Sequence, residues 1–462
     1  MAETKSYFFC GIGGSGMLPL ACIVRAQGAE VAGSDRALDQ GRVGEKFAFL
    51  EAQGISLFPQ DGSGVTSPDQ ILVASAAVEE SVPDVAAATR IGASRLTRAE
   101  LLAQLFNAAP LSIGVAGTSG KSTVTGMIAW ILHSAGRDPT VMNGAVMKNF
   151  AGRDRPFASA LAGHGDVFVS EVDESDGSIV LYRPSVAVLN NVTLDHKGLD
   201  ELRRLFLDFA GKAGAAIVNI DDPEARALAA QLPAATGFSL ADPAAAFSAT
   251  DIVEEPLAVS FTVSERGGAP VPVRLQVPGR HNVANALAAL AAVRAAGVGL
   301  EDAAATLAGF TGLRRRFDVV GTRKGVTVID DFGHNPDKIA ATLQTLHAFP
   351  GRLLLFFQPH GYGPLRTMGK ELTATFAEGM AAGDVLVMPD PVYYGGTVER
   401  TVGSGDIVAG IRAAGGDAEH IADRTEAGRR LAALAEPGDR IVVMGARDDT
   451  LTAFAQDVLD SL

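Results

Sequence analysis

The chain has 462 residues, of which 47% are hydrophobic and 20% charged, and its net charge at pH 7 is -14. This length exceeds what one hydrophobic core supports, so about three domains are expected. The acidic balance argues against a nucleic-acid partner. Cys10 and Cys22 form no metal-ligand or disulfide pattern. We find no membrane-spanning apolar run and no signal-peptide pattern, so we expect a cytoplasmic protein.

The first segment, residues 1–108, begins with a strand, a glycine turn and a helix. The apolar run at 7–10 predicts a buried strand, the glycines at 11–16 a tight turn, and the pattern at 17–27 a helix. A second predicted strand ends at Asp35. This order is typical of a Rossmann-like domain, in which backbone N–H groups at a helix N-terminus bind a diphosphate. The same turn also occurs without any ligand.

The second segment, residues 109–312, contains the most specific motif. The motif follows a predicted strand at 111–116, precedes a predicted helix at 124–133, and reads Gly117-Thr118-Ser119-Gly120-Lys121-Ser122-Thr123. Backbone N–H groups of such a loop surround a phosphate, while the lysine binds the β- and γ-phosphates and the serine hydroxyl binds magnesium. The motif departs from the usual phosphate loop, because Val115 occupies the position of the first glycine. We therefore predict a central ATP-binding domain with a parallel sheet.

Two further side chains of this segment are candidate metal ligands. Glu171 ends a strand predicted at 166–171, and His196 follows a later predicted strand. The carboxyl ends of parallel strands meet at one edge of a sheet, and magnesium prefers oxygen ligands. We expect Ser122 and Glu171 to bind one magnesium ion, with His196 near a second. Two alternatives stay open: His196 could be a structural histidine, and the acidic run at 173–176 a solvated turn.

The third segment, residues 313–462, again alternates strands and helices. Strands are predicted at 326–329, 353–357, 385–388 and 441–444, with a weaker one near His420. Alternation of this kind indicates a parallel sheet covered by helices, which predicts a second Rossmann-like α/β domain. The chain is thus predicted to be an α/β protein of three domains.

Together these motifs resemble the Mur ligase family, the ATP-dependent enzymes that build the peptide stem of peptidoglycan. The resemblance covers nearly the whole chain and is greatest to the alanine-adding branch of the family. The matching motifs occur in the family's order, at residues 11–17, 74–78, 98–100, 117–123, 171–176, 191–196, 281–285, 312–317 and 330–336.

The resemblance implies a site for each substrate. It assigns a UDP-sugar acid to Gly13, Gly14, Ser15, Gly16, Met17, Asp35, Ser75 and Ser175. It adds four residues to the phosphate loop as ATP ligands, namely Asn282, Asn285, Arg316 and Asp331. It assigns the incoming amine, an amino acid or a peptide, to His360, Arg366 and Arg447.

The resemblance also implies the reaction. A carboxylate of the acid attacks the γ-phosphate of ATP, and an amine converts the acyl phosphate to an amide. Catalytic roles are implied for Lys121, Glu171, His196 and His334. Lys121 and magnesium would stabilise the transferred phosphoryl group. The implied substrates are UDP-N-acetylmuramate and L-alanine, used in the cytoplasm by a monomer or homodimer.

Several residues depart from the alanine-adding pattern. Phe332 replaces a usual tyrosine, Asn335 a usual histidine, and residues 361–366 the arginine-rich loop that usually follows His360. These departures leave open a sibling ligase that joins a preformed peptide in cell-wall recycling, or one that acts on another acid. A nucleotide-binding regulator and a nicotinamide-dependent dehydrogenase are further alternatives. The arginines at 314–316 could also be a solvated cluster.

Overall fold

A computed structural model describes residues 5–76, 78–193, 197–392, 400–446, 448 and 450–462. The chain divides into two compact units. The first comprises Met1–Val253, Val259–Gln276 and Arg280–Thr311, and the second comprises Glu254–Ala258, Val277–Gly279 and Gly312–Leu462. The first predicted domain and most of the second therefore lie in one unit, and the whole of the third lies in the other.

The first sheet has five parallel strands in the order β3-β2-β1-β4-β5. Its strands are β1 (Ser6–Cys10), β2 (Glu30–Ser34), β3 (Ser56–Phe58), β4 (Gln70–Ala74) and β5 (Ser94–Thr97). Its helices are α1 (Met17–Ala26), α2 (Arg36–Asp39), α3 (Gly44–Ala52), α4 (Pro83–Ile91) and α5 (Arg98–Ala108). The winding direction reverses between β1 and β4, and open α/β sheets bind ligands beyond the carboxyl ends of such strands.

The second sheet has ten strands in the order β15-β14-β13-β12-β11-β10-β6-β9-β7-β8. Its strands are β6 (Leu111–Ala116), β7 (Thr140–Met142), β8 (Ala160–Leu161), β9 (Val167–Glu171), β10 (Val186–Leu189), β11 (Ala215–Asn219), β12 (Ala235–Ser239), β13 (Phe247–Glu255), β14 (Ala258–Glu265) and β15 (Val271–Leu275). Its helices are α6 (Lys121–Ser134), α7 (Leu199–Gly211), α8 (Pro223–Ala229), α9 (Arg280–Ala295) and α10 (Leu300–Leu307), with one 3-10 turn at Ser178–Leu181. The central strand β6 pairs in parallel with both β10 and β9.

A single hydrophobic core joins these two sheets. Phe106, near the end of α5, is fully buried, and its ring lies 5.8 Å from that of Phe168 and 5.3 Å from that of Tyr182. The same core continues to Phe9 of the first sheet. A capping box between Thr97 and Glu100 fixes the start of α5. Helix α5 therefore contributes to a core that the two sheets share.

The third sheet lies in the second unit and has six strands in the order β16-β17-β21-β18-β19-β20. Its strands are β16 (Asp318–Arg323), β17 (Val326–Asp331), β18 (Leu353–Gln358), β19 (Val385–Met388), β20 (Ala418–His420) and β21 (Arg440–Gly445). Its helices are α11 (Pro336–His347), α12 (Tyr362–Gly379), α13 (Ser404–Ala413), α14 (Arg424–Leu434) and α15 (Leu451–Ser461). All five predicted strands are confirmed, and β16 is an additional antiparallel edge. Among the described residues, no helix is long and apolar enough to cross a lipid bilayer.

Candidate active site

The phosphate loop adopts a backbone that only glycine accommodates at two positions. Gly117 has a φ of 128° and Gly120 a φ of 83°. A Cβ atom on Gly120 would overlap the Asn190 amide and lie 2.6 Å from Asn285 Oδ1. Helix α6 begins at Lys121 with no side-chain cap. Its first backbone N–H groups therefore face the loop, as an anion site requires.

Two asparagines after β10 hold this loop in place. Asn191 Oδ1 accepts hydrogen bonds from the Ser119 N–H and the Thr118 hydroxyl, both at 2.8 Å, and its Nδ2 donates to Ser119 Oγ at 2.9 Å. Asn190 Nδ2 donates to the Ser119 carbonyl oxygen at 3.1 Å. Sequence reasoning placed Asn191 in a family motif but did not single out either asparagine as a site residue. Their position as two polar residues directly after the buried strand β10 is the sequence feature that could have identified them.

The predicted ATP ligands Asn282 and Asn285 lie in the first two turns of α9 and are 5% and 4% exposed. Asn285 Oδ1 accepts from Asn190 Nδ2 at 3.0 Å, and Asn285 Nδ2 donates to Asn282 Oδ1 at 3.1 Å. Asn285 thus connects α9 to the strand end that holds the phosphate loop. A direct contact of these residues with ATP stays a prediction.

Lys121 forms a buried ion pair. Its Nζ donates to the Gly117 carbonyl oxygen at 2.8 Å and lies 2.9 Å from Glu174 Oε2. Glu174 is 3% exposed, so the interpretation of its segment as a solvated turn is wrong at this position. Burial raises the pKa of Glu174, although the charge of Lys121 opposes that shift. The lysine is therefore positioned inside the loop by a carboxylate that sequence reasoning did not assign to the site.

Asn143 lies between two of the predicted magnesium ligands: it bonds to the backbone of Ser122 and lines the same cleft as Glu171. Glu171 ends β9, and its Oε2 is buried with no hydrogen-bond partner among the described residues. Asn143, which follows β7 and is 1% exposed, donates from Nδ2 to the Ser122 carbonyl oxygen at 3.1 Å. A buried carboxylate oxygen without a donor is what a bound cation would satisfy. Glu171 therefore fits a magnesium ion, and the contact predicted for the Ser122 hydroxyl stays a prediction.

His196, the third predicted metal ligand, lies outside the described residues. Within the described ranges, no cluster of three or more histidine, cysteine, aspartate or glutamate side chains is arranged to hold a metal. The second magnesium site predicted near His196 stays a prediction.

A cleft of about 480 Å³ leads from the first glycine turn to Glu171. It contains five of the residues predicted to bind the UDP-sugar acid, namely Gly14, Ser15, Gly16, Met17 and Ser75. Its other end is lined by Asn143, Gly144 and Glu171. One cleft therefore connects a diphosphate-type turn to the candidate metal ligands, and its volume is typical of a small-molecule site.

Three other predicted ligands of the UDP-sugar acid do not line this cleft. Asp35 accepts from the Gly13 N–H at 2.8 Å and from the Ala37 N–H at 2.8 Å, so it shapes the glycine turn and caps α2. Ser175 donates its N–H to Asp173 at 3.0 Å. The contacts predicted between Gly13, Asp35 or Ser175 and the substrate stay predictions.

Arg98 is a cation of this cleft that sequence reasoning did not assign to the site. It lines the cleft, and its side chain is 29% exposed and lies 3.7 Å from Asp176. A Cβ atom on Gly16 would lie 2.9 Å from Arg98 Cδ, so the arginine is packed against the glycine turn. Arg98 therefore supplies positive charge where a diphosphate would bind. The position of Arg98 in the family motif at 98–100 is the sequence feature that could have identified it.

In the second unit, the arginine run at 314–316 is not a uniformly solvated cluster: Arg314 is exposed, whereas Arg315 and Arg316 are partly buried. Arg315 is 11% exposed in its side chain, and it donates to the Gly445 carbonyl oxygen at 2.6 Å and lies 3.4 Å from Asp330. The Arg316 guanidinium lies 4.5 Å from the centre of the Phe332 ring. Phe332 thus has an arginine stacked on it where the family's alanine-adding branch has a tyrosine. The ATP contact predicted for Arg316 stays a prediction.

Asp331 shapes the loop after β17. It is 9% exposed, and it accepts from the Phe317 N–H at 2.9 Å, the Gly333 N–H at 3.1 Å and the Thr342 hydroxyl at 2.8 Å. Both carboxylate oxygens therefore have donors inside the second unit. Its predicted contact with ATP stays a prediction.

His334 is a neutral histidine in the same loop. Its Nδ1 lies 2.8 Å from the Phe332 carbonyl oxygen, which can only accept, so Nδ1 carries the proton. Burial lowers the pKa of His334 to about 3, and the charge of Lys338 contributes to the shift. Nε2 is then an unprotonated acceptor at pH 7. The His334 ring centre lies 5.6 Å from that of His360, so the structure brings these two predicted residues together.

The remaining predicted amine ligands are less closely grouped. Arg366 is exposed on the first turns of α12, which begins just after His360. Arg447 lies outside the described residues. Asn335 accepts from the Lys338 N–H at 3.0 Å and caps α11. This capping role explains how an asparagine is accommodated where the alanine-adding branch usually has a histidine.

The fold and the site define a class of protein: an α/β enzyme with a phosphate loop and with a small-molecule cleft that reaches a buried carboxylate. Three family models match in succession along the chain. They are described as "Mur ligase family, catalytic domain" at residues 6–109, "Mur ligase middle domain" at 115–293, and "Mur ligase, glutamate ligase domain" at 315–447. The chain belongs to the Mur ligase family. It is an ATP-dependent ligase that forms amide bonds.

Curated relatives match along almost the full length. The UDP-N-acetylmuramate–L-alanine ligase of Synechococcus sp. (strain JA-3-3Ab) is 36% identical over 454 residues, which cover 96% of this chain and 84% of that protein. The ligase of the same name from Sorangium cellulosum is 35% identical over 461 residues, covering 96% of this chain and 94% of that protein. These matches confirm the predicted family resemblance.

Solved structures have the same architecture. The UDP-N-acetylmuramate-alanine ligase of Thermotoga maritima superposes with a TM-score of 0.79 at 23% identity, covering 98% of each chain. The murein peptide ligase of Psychrobacter arcticus superposes with a TM-score of 0.69 at 25% identity, covering 99% of this chain and 98% of that one. The predicted three-domain α/β fold is therefore confirmed.

Proposed function

We propose that this ligase adds L-alanine to UDP-N-acetylmuramate in peptidoglycan synthesis, through an acyl-phosphate intermediate. The observation that carries the proposal is the single cleft that connects the glycine turn at Gly14–Gly16 to Glu171. A UDP-sugar acid bound with its diphosphate at the turn would place its carboxylate toward the phosphate loop. The names of the curated relatives support L-alanine as the amine.

The chain supplies most of this chemistry by positioning and charge. Arg98 and the N-terminal end of α1, which has no side-chain cap, would bind the diphosphate. Lys121 would exchange Glu174 for the β- and γ-phosphates of ATP. Ser122 and Glu171 would hold a magnesium ion, which neutralises phosphate charge when bound. The carboxylate of the acid would then attack the γ-phosphate, ADP would leave, and the amine would displace phosphate.

A second candidate is a sibling ligase that joins a preformed peptide to the same acid. The segment after His360 favours it, because residues 361–364 contain two glycines and a proline, and Arg366 is exposed on the first turns of α12. The use of Asn335 as a helix cap also removes one side chain from amine binding. Both candidates share the first step, so they differ only in the amine.

The test is an ADP-release assay with purified protein, ATP, magnesium and UDP-N-acetylmuramate. We expect turnover with L-alanine and little with other amino acids or with a tripeptide. Turnover with the tripeptide alone would establish the sibling activity instead. Lys121→Ala is the matched variant, and we expect it to abolish turnover and weaken ATP binding. ATP binding without turnover on any amine would leave the regulator hypothesis.

The proposal extends to the setting of the enzyme. It requires only small-molecule substrates, namely a UDP-sugar acid, ATP and an amine. We propose a cytoplasmic monomer or homodimer, and light scattering on the purified protein would distinguish the two oligomeric states.

A further inference from the structure

Asn143 lies next to Glu171 at the edge of the second sheet. Strands β7 and β9 are parallel, and Met142 pairs with Ser170. Asn143 follows Met142, and Glu171 follows Ser170. These two residues are therefore neighbours at the carboxyl ends of β7 and β9. The Asn143 N–H is held by the Ser159 carbonyl oxygen at 2.9 Å. The position of Asn143 beside Glu171 is therefore fixed by the backbone.

The amide of Asn143 has one orientation. Its Nδ2 donates to the Ser122 carbonyl oxygen at 3.1 Å, and a carbonyl oxygen cannot accept from Oδ1. Oδ1 is thereby directed away from that bond, and it is buried without a hydrogen-bond partner among the described residues. Asn143 is only 1% exposed, so this oxygen bears a desolvation cost that some ligand must offset.

The cleft that Asn143 lines also contains a predicted cation ligand, Glu171. Glu171 Oε2 is a second buried oxygen without a partner, and Glu171 and Asn143 line the same cleft. A Cβ atom on Gly144 would overlap the Glu171 carboxylate and lie 2.9 Å from its Cδ. The glycine after Asn143 therefore lets the carboxylate approach this loop. The hydroxyl of Ser122 is the other predicted magnesium ligand. The backbone carbonyl oxygen of the same residue accepts the hydrogen bond from Asn143 Nδ2.

We infer that Asn143 Oδ1 is a further ligand of the magnesium ion held by Ser122 and Glu171. Magnesium takes oxygen ligands, and an amide carbonyl adds one without adding charge. The inference rests on the magnesium-dependent part of the proposed function and does not depend on the identity of the amine. The competing role for Oδ1 is to accept a hydrogen bond from the UDP-sugar acid.

The test is Mn²⁺ binding, measured by electron paramagnetic resonance with the full-length protein and ADP, without acid or amine. We expect Asn143→Ala to weaken Mn²⁺ binding by roughly 10- to 100-fold. Asn143→Asp keeps an oxygen but cannot donate to Ser122, and we expect it to bind Mn²⁺ at least as well as the native chain. Asn149→Ala is the matched control, because Asn149 bonds to Gly309 and Thr311 and lies outside the cleft that Asn143 lines.

Each outcome is decisive. Mn²⁺ affinity within about threefold of the native value in Asn143→Ala, with a native-like thermal melt, would overturn the inference. An equal loss of Mn²⁺ affinity in the alanine and aspartate variants would show that Asn143 acts only by positioning Ser122. That result would overturn the inference as well. Weaker UDP-N-acetylmuramate binding with unchanged Mn²⁺ affinity would assign Oδ1 to the acid. Failure of the native chain to bind Mn²⁺ would instead count against the magnesium part of the proposed function.

Discussion

The ion pair between Lys121 and Glu174 shows how single side chains prepare this site. A lysine intended for phosphates carries a charge that must be stabilised when no nucleotide is bound. Glu174 supplies the opposite charge: its Oε2 lies 2.9 Å from Lys121 Nζ, and its side chain is 4% exposed. The hydrogen bond from Lys121 to Gly117 keeps the ammonium group within the loop. ATP must therefore compete with Glu174 for the lysine.

Glu174→Gln should raise the affinity for ATP by roughly fivefold. Glutamine keeps the shape and a hydrogen bond to Lys121, but a neutral acceptor binds an ammonium group about 1 kcal/mol less tightly than a carboxylate does. Titration calorimetry would measure the change. Asp176→Asn is the control, because Asp176 is more exposed and pairs with Arg98 instead. Unchanged or weaker ATP binding in Glu174→Gln would contradict this role.

At the scale of elements, the phosphate loop depends on its junction with α6. Gly120 precedes the helix in a left-handed conformation, and the amides of Asn190 and Asn285 pack where its side chain would lie. The loop can approach these amides only because Gly120 has no Cβ atom. The junction thus links β6, β10 and α9 in one arrangement.

Gly120→Ala should destroy ATP binding, whereas Gly92→Ala should not. Both glycines have positive φ, so each substitution should cost roughly 1–2 kcal/mol of unfolding free energy. A Cβ atom on Gly92 meets nothing within 4 Å, while one on Gly120 displaces the asparagine amides. Fluorescent-nucleotide titration and thermal melts would measure both effects. Native-like nucleotide affinity in Gly120→Ala would show that the loop does not need this packing.

At the scale of the whole molecule, the chain has two compact units although its family has three domain models. The first unit combines the first two sheets because α5 buries Phe106 against Phe168 and Tyr182. The second unit has its own core on each face of the third sheet. The sheets that bear the cleft and the phosphate loop should therefore unfold together.

Phe106→Ala should destabilise both sheets of the first unit. Removing a fully buried phenylalanine costs roughly 3–5 kcal/mol. Hydrogen exchange should therefore rise in β1 and β6 alike, with little change in β18. Phe376→Ala is the matched control, since this ring packs at 5.5 Å on Phe357 in the second unit and should give the opposite pattern. Faster exchange in β6 alone would show that the two sheets unfold separately.

Some features of this protein follow from its sequence alone. The phosphate loop, the glycine turn and the strand that ends at Glu171 are local patterns, in which the spacing of glycines and apolar residues dictates the backbone. These patterns were sufficient for the α/β class, the family and the nucleotide-binding element. The edge strand β16 was missed, because it contains charged residues at both ends and lacks a continuous apolar run.

The tertiary structure alone decided which polar groups meet. Glu174 is the partner of Lys121, and Asn143 stands beside Glu171, because parallel strands far apart in the chain end at the same edge of a sheet. Asp35 and Asp331 were predicted as ligands from the family resemblance, and the structure shows that each also accepts hydrogen bonds from backbone N–H groups. Sequence spacing determines local backbone, whereas burial and hydrogen-bond partners depend on contacts between distant segments.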